Sequence, residues 1–210
     1  MKKLFNSSMH SRAVKYFSLC LAVGLVFSAA FSLCGFSAAC EKVRQSVLRL
    51  HILAHSDDEA DQALKLLVRD RILEDTAYLF KDVQTEQQAA DAAAQNIDLM
   101  EQIARDEIIA NGYDYPVTVE VAPTNFGTRE YDNVTLPAGR YMAVRVLIGE
   151  AEGKNWWCVM FPSMCLPAAG EQQEIDKVLE DKPLEVVTDQ PKYKVQFKIV
   201  ELFESVRDWF

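Results

Sequence analysis

A strand that runs directly into a helix constrains this chain more than any other feature: V-L-R-L-H-I-L-A-H-S-D-D-E-A-D-Q-A-L-K-L-L-V-R-D, Val47 to Asp70. Leu48, Leu50, Ile52 and Ala54 alternate with Arg49, His51, Leu53 and His55, the period of a half-buried strand. Ser56 then opens a helix. Its hydroxyl is placed to accept from the N–H of Glu59, whose carboxylate reaches back to the N–H of Ser56, an S-x-x-E capping box. Asp57 and Asp58 add negative charge at the positive end of the helix dipole. A polar cluster of Arg49, His51, His55, Ser56 and Asp57 therefore gathers where the strand stops.

The helix from Ser56 is expected to reach about Lys81. Ala60, Ala63, Leu64, Leu67, Val68 and Ile72 form one apolar face, and Leu66, Leu73, Ala77 and Phe80 a second, which predicts cover on both sides. A second helix is predicted from Thr85, capped with Gln88, to Asn111-Gly112, because Ala89, Ala93, Ile97, Met100, Ala104 and Ile108 recur at helical spacing. The chain then turns extended at Pro116–Ala122, T-R-E-Y (128–131), Arg140–Gly149 and Asn155–Pro162, with a hairpin-length loop from Gly149 to Gly153. Glu171–Leu179 reads as a short amphipathic piece ended by Lys182-Pro183. A last helix from Val195 is expected to dock through Ile199, Leu202, Phe203, Val206 and Phe210, with Trp209 and Phe210 as the other candidates for an exposed contact. The whole is an α+β fold: a largely antiparallel sheet of about four or five strands packed with an α-helical pair and a C-terminal helix.

The 210 residues suit one domain behind a targeting segment. Residues 1–39 carry Lys2, Lys3, Arg12 and Lys15 and no acid, then an uncharged apolar run from Tyr16 to Ala39. With small residues at Ser37 and Ala39 this reads as an export signal cleaved after Ala39, leaving 40–210 as a single extracytoplasmic domain. The alternatives are an uncleaved membrane anchor and lipid attachment at Cys40. Without residues 1–39 the net charge moves from −9 to −13. That balance argues against nucleic acid as a partner and against membrane contact other than through the N-terminal segment. Outside the membrane Cys158 and Cys165 stand either as a disulfide or as two buried thiols.

No residue set demands catalysis. On a strand, His51 and His55 lie about 13 Å apart, too far for two metal–nitrogen bonds of about 2 Å. Asp57, Asp58, Asp61 and Asp70 read as caps and a solvated face. No G-x-S-x-G, S-x-x-K, H-E-x-x-H, phosphate loop or D-[ST]-G triplet occurs. The sequence thus predicts no catalytic residues, no metal and no cofactor. Adjacent Trp156 and Trp157 on a strand must face opposite ways, one toward the core and one outward or beneath a loop.

R-L-H-I-L-A-x-S-D with E-x-D-Q-A-L-K-x-x-V-R-D, N-F-G-T-R-E-Y, L-P-A-G-x-Y-x-A-x-R-V-x-I-G and N-W-W-C-V-x-F-P-x-x-C together resemble the stage II sporulation protein R family of endospore-forming bacteria. His55 departs from the Asn of that pattern, and Ser163 from its second Pro. The resemblance implies an exported forespore signal, acting in the space between forespore and mother cell. Its implied partner is a membrane-embedded sporulation aspartic protease that cleaves the sigma-E precursor. The surfaces expected to make that contact are the Arg49, His51, His55, Ser56, Asp57 cluster and the stretch from Trp156 and Trp157 through the turn to Cys165. The rival expectation is an exported metal- or carboxylate-dependent hydrolase of the cell envelope.

Overall fold

A computed structural model describes residues 2–131, 134–162, 179, 181–188 and 190–207. The chain divides into two compact units, Met1–Ala39 and Cys40–Phe210. The first is helical, part of α1 (Lys2–Arg44). Val14–Arg44 is long and apolar enough to cross a membrane, with a mean hydropathy of 2.2. Phe17, Phe27 and Phe31 stand exposed along it. Such a helix is compatible with a signal sequence or an anchor.

The second unit is built on a four-stranded sheet in the order β2-β5-β1-β6. These strands are β1 (Leu48–Leu53), β2 (Val117–Phe126), β5 (Gly139–Ile148) and β6 (Asn155–Phe161). β3 (Arg129–Tyr131) and β4 (Val134–Leu136) form a separate antiparallel ribbon. β1 is central. It pairs parallel with β5, Arg49 opposite Ala143 and His51 opposite Arg145, and antiparallel with β6, His51 opposite Trp157. β2 closes the other edge antiparallel to β5. The β5–β6 loop is therefore no hairpin: it steps over the end of β1, which lies between the two strands it joins.

That crossing explains two glycines. Glu152 and Gly153 donate backbone N–H groups to the carbonyls of His55 (3.3 Å) and Ala54 (3.0 Å), pressing the loop onto the strand-to-helix turn. A Cβ on Gly153 would lie 2.1 Å from the Ser56 carbonyl oxygen, and one on Gly149, at φ +58°, 2.2 Å from His55 Nδ1. Neither position has room for a side chain.

β1 alternates faces as expected, but it is buried on both of them and not half-buried, Arg49 and His51 included. Leu48, Leu50 and Ile52 are fully buried in a core shared with Val144, Val146 and Ile148 of β5 and with the helices. α2 runs Glu59–Thr76, followed by a 3-10 turn at Ala77–Phe80. It starts later than the sequence suggests, with Asp58 at the cap position and no side-chain capping bond. The Ser56–Glu59 box does not form because Ser56 is used otherwise: its hydroxyl donates to Asp61 Oδ2 (2.6 Å) and accepts from the N–H of Asp58 (3.1 Å). The buried residues are Asp61, Leu64, Lys65, Val68, Ile72, Leu73 and Thr76, while Ala60, Ala63, Leu67 and Ala77 are exposed. Of the expected second face, Leu73 is buried and Phe80 packs partly buried on the same core.

The expected second helix is two, α3 (Glu86–Gln95) and α4 (Ile97–Ala110). Thr85 caps the first, accepting from Gln88 N. Asn96 breaks the run: its amide donates to the Ala92 carbonyl, a local bond that competes with helix continuation. The buried stripe of Ala89, Ala93, Met100, Ala104 and Ile108 passes through the break and faces the sheet. Gly112 at φ +84° ends α4. Its N–H bonds to Ile109 and that of Tyr113 to Ile108, which satisfies two carbonyls at the helix end.

α5 (Asp181–Thr188) and α6 (Gln190–Arg207) follow, Pro183 lying in the first turn of α5 instead of ending a helix. The piece expected at Glu171–Leu179 lies outside the described residues except for Leu179. α6 does not dock through the face expected of it. Phe197 and Glu204 are buried, while Ile199, Leu202 and Val206 are exposed. Phe203, Trp209 and Phe210 fall outside the described side chains.

A second core lies on the other sheet face, where Val43, Val47, Phe126, Leu136, Tyr141 and Val187 meet. Cys40 is also fully buried, and burial pushes its thiol up to about 12, so it stays protonated. Replacing Gly153 by Ala is expected to cost about 2 kcal/mol, because the obstructing atom is backbone. Urea unfolding of Gly153→Ala against wild type measures this, with Gly24→Ala, whose Cβ meets nothing within 4 Å, as the neutral control.

Candidate functional site

Strand register places a polar row across the sheet face away from α2–α4. Glu120 of β2, Arg145 of β5, His51 of β1 and Trp157 of β6 stand side by side. Arg49, Ala143 and Val159 form the row on one side, where the second core covers them. Thr118, Leu147, Leu53 and Asn155 form the row on the other, and all four are at least partly exposed. The face thus passes from covered to open, and His51 sits at the transition.

Arg49 is the least expected group in it. The side chain is fully buried, its guanidinium 4.1 Å from the Phe126 ring centroid, 5.1 Å from that of Tyr141 and 5.7 Å from that of Tyr131. Nη2 donates to the Tyr131 hydroxyl and Nε to the Cys158 carbonyl (3.4 Å). Nη1 has no partner, and no carboxylate pairs with the cation among the described residues. Aromatic faces supply some attraction, but a buried charge without a counter-ion is costly. Burial pushes the Arg49 pKa down, and it pushes Tyr131 and Tyr141 up despite the neighbouring cation. Both phenols therefore stay neutral.

His51 stacks on Trp157 with ring centroids 4.0 Å apart, and Trp157 meets Phe126 edge-on at 4.8 Å. His51 Nε2 lies 2.6 Å from Asn155 Oδ1. With a carbonyl oxygen there, Nε2 carries the proton and Nδ1 is a bare, unpartnered acceptor. Burial lowers the His51 pKa; the Asn155 bond opposes this, and Arg145 and Arg49 add to it. Arg145 pairs with Glu120 at the exposed end of the row.

The structure brings together Arg49, His51 and Trp157 and separates the remaining sequence candidates. His55 stacks on Tyr115 (4.2 Å) and accepts from Glu150 N through Nδ1 (3.1 Å). Asp57 accepts from Lys154 N (2.7 Å), and Ser56 serves Asp58 and Asp61. These three hold the β5–β6 loop and the helix start. Trp156 points to the opposite side, packed against the helical core with the Arg69 guanidinium 4.4 Å from its ring centroid. Cys158 is disulfide-bonded; Cys165 lies outside the described residues. Arg145 and Glu120 complete the row, and Asn155 joins it from the next row through His51. Arg145 and Asn155 lie in motif blocks that did not mark them as neighbours of His51, and Glu120 lies in none. Phe126 and Tyr131 sit in N-F-G-T-R-E-Y, which signalled them as part of a block but not as neighbours of Arg49.

Of these groups Arg145, Trp157 and Asn155 reach the surface, while Arg49 and His51 are buried beneath it. Among the described residues no three His, Cys, Asp or Glu side chains are grouped to hold a metal.

The fold and this face define a small α+β domain carried behind an apolar N-terminal helix. The chain belongs to the stage II sporulation protein R family, whose model matches residues 44–171. It is 32% identical over 154 residues to the stage II sporulation protein R of Bacillus subtilis (strain 168), covering 70% of this chain and 69% of that one. No solved structure matches. The matched region contains all six strands and α2–α4, and it ends before α5.

Two outcomes follow for the site. Since burial lowers the His51 pKa, the folded chain binds fewer protons there than the unfolded chain. The associated stability is complete above the ordinary histidine value of about 6.5 and falls as pH drops below it. Urea midpoints are expected to fall between about pH 7 and about pH 5.5, and His51→Phe, which keeps the stack on Trp157, to fall less. Arg49→Met, which removes an unpaired buried charge at similar length, is expected to unfold within about 1 kcal/mol of wild type, as read by the same titration.

Proposed function

We propose that this protein is an exported sporulation signal that activates a membrane-embedded aspartic protease, leading to cleavage of the sigma-E precursor. In this reading it is made in the forespore, crosses its membrane and acts from the intermembrane space without catalysing a reaction itself. The observation that carries the reading is family membership joined to one physical fact: a sheet face left open beside Trp157, with Arg49 buried beneath its covered end. A partner's aromatic or aliphatic contact on Trp157, Leu53 and Leu147 would cover that face. Activation requires that this contact be stronger with the active protease than with the inactive one, since only differential affinity shifts such an equilibrium.

The test is precursor cleavage in cells that make the precursor and the membrane protease. Cleavage is expected with the intact protein and not with one lacking residues 2–39. Trp157→Ala is expected to lower cleavage by about tenfold, the scale of one hot-spot side chain. Arg49→Met, at a buried position that reaches the open face only through Tyr131 and Trp157, is expected to lower it less than Trp157→Ala while leaving the protein folded. Trp156→Phe, on the opposite side of the sheet, should leave it near wild type. Equal cleavage with and without residues 2–39 would remove the extracytoplasmic site of action.

A further inference from the structure

α6 lies beyond the residues that the family model matches and shows an apolar line on its outer side. Phe197 and Glu204 face the domain and are buried. Val195, Ile199, Leu202 and Val206 are 70%, 44%, 68% and 53% exposed. Their spacings of four, three and four residues place them in one row along the helix, opposite the buried pair.

A cleft of about 600 Å³ opens beside that row, between α6 and the β3–β4 ribbon. Arg129, Lys194 and Lys198 bring three cations to its walls, and Glu130 and Glu201 two carboxylates. Lys198 is held by Glu201 at 2.9 Å, and Glu130 also acts on it. Arg129 and Lys194 have no ion-pair partner among the described residues. The Arg129 guanidinium lies 5.8 Å from the Trp157 ring centroid. Thr128 and Thr135 line the same cleft, and their hydroxyl oxygens are buried without a hydrogen-bond partner, Thr135 on a side chain only 2% exposed.

We propose that α6 seats on an anionic bilayer surface, its apolar row in the headgroup–acyl boundary and a lipid phosphodiester in the cleft against Arg129 and Lys194. The net charge of −9 argues the other way only at long range. Within a Debye length of about 8 Å the nearest charges set the field, and here two uncommitted cations flank exposed apolar side chains. The row spans roughly 17 Å of helix, and four side chains fall short of the roughly 800 Å² per partner of a stable free dimer. A bilayer demands no matching surface. An N-terminal helix fit to span it keeps an uncleaved chain beside the lipid, where weak contacts act at high effective concentration.

Hydrogen exchange on the full-length protein in proteoliposomes tests this, comparing phosphatidylcholine alone with an equimolar mixture containing phosphatidylglycerol. Exchange across 193–206 is expected to be roughly tenfold slower in the anionic bilayer, each cation strengthening binding about fivefold before losses to the cleft carboxylates. Arg129→Gln with Lys194→Gln, and separately Leu202→Asp, are expected to erase the difference. Exchange in β1 and β5 should stay unchanged in every variant, which reports an intact fold. Equal exchange in both bilayers overturns the proposal, as does slowing that survives both variants. Slowing reproduced in phosphatidylcholine by inorganic phosphate would assign the cleft to a free oxyanion, and slowing that follows protein density would assign the row to a second copy; either result overturns the lipid assignment. None of these readouts depends on precursor cleavage, so the signalling reading stands or falls separately.

Discussion

The sheet depends on the insertion of β1 between β5 and β6. Those two strands are consecutive in the chain, yet each bonds to a strand encoded about a hundred residues earlier. The backbone N–H groups of Glu152 and Gly153 fasten the loop between them to the end of β1, and glycine at 149 and 153 lets that approach happen. Without β1 the sheet falls into a β2–β5 pair and a lone β6. The helical core has no floor until the strand is in place, because Leu48, Leu50 and Ile52 supply its centre. Local order of helices and turns therefore precedes, and does not replace, a pairing of high sequence separation.

The same strand carries the site on its other side. Alternation commits Leu48, Leu50 and Ile52 to one core, and it equally commits Arg49 and His51 to the opposite face. A one-residue slip would bury charge among the helices, so core packing fixes the site's register. The site in turn costs the fold something: among the described residues Arg49 is buried without an anion, and both Arg49 Nη1 and His51 Nδ1 lack partners. A chain shaped only for stability would place an aliphatic side chain at 49. Uncompensated groups of this kind are expected where a surface is shaped for something other than its own folding.

Periodicity made much of this legible. The two faces of β1, the α3–α4 stripe and the glycine stop at 112 all follow from residue spacing, because each is decided by local geometry and burial together. What spacing does not encode is which strands become neighbours, and that is where expectation and structure part. Gly149–Gly153 has the length of a hairpin, but length does not reveal that a third strand lies between its arms. Ser56 and Glu59 fit a capping pattern, yet Asp61 and the Asp58 N–H compete for the same hydroxyl. Asn96 ends a helix whose apolar stripe continues past it, so the stripe concealed the break. At the site Arg49, His51, Arg145, Asn155 and Trp157 all lie in motif blocks, but their adjacency, and the place of Glu120 beside Arg145, come only from strand register and the His51–Asn155 bond.

Residues 40–44 bear on timing. The expected processing point lies after Ala39, and the folded domain takes up the residues just beyond it: Cys40 and Val43 have no solvent exposure, and Arg44 donates to the Ala138 carbonyl at 2.8 Å. They are helical to Arg44. A peptidase that reads an extended backbone has access to that bond only until those side chains pack. In the signalling reading proposed above, release and retention would be the two exits of a kinetic race between cleavage and folding, decided by how fast a strand near residue 50 finds partners near residues 145 and 158.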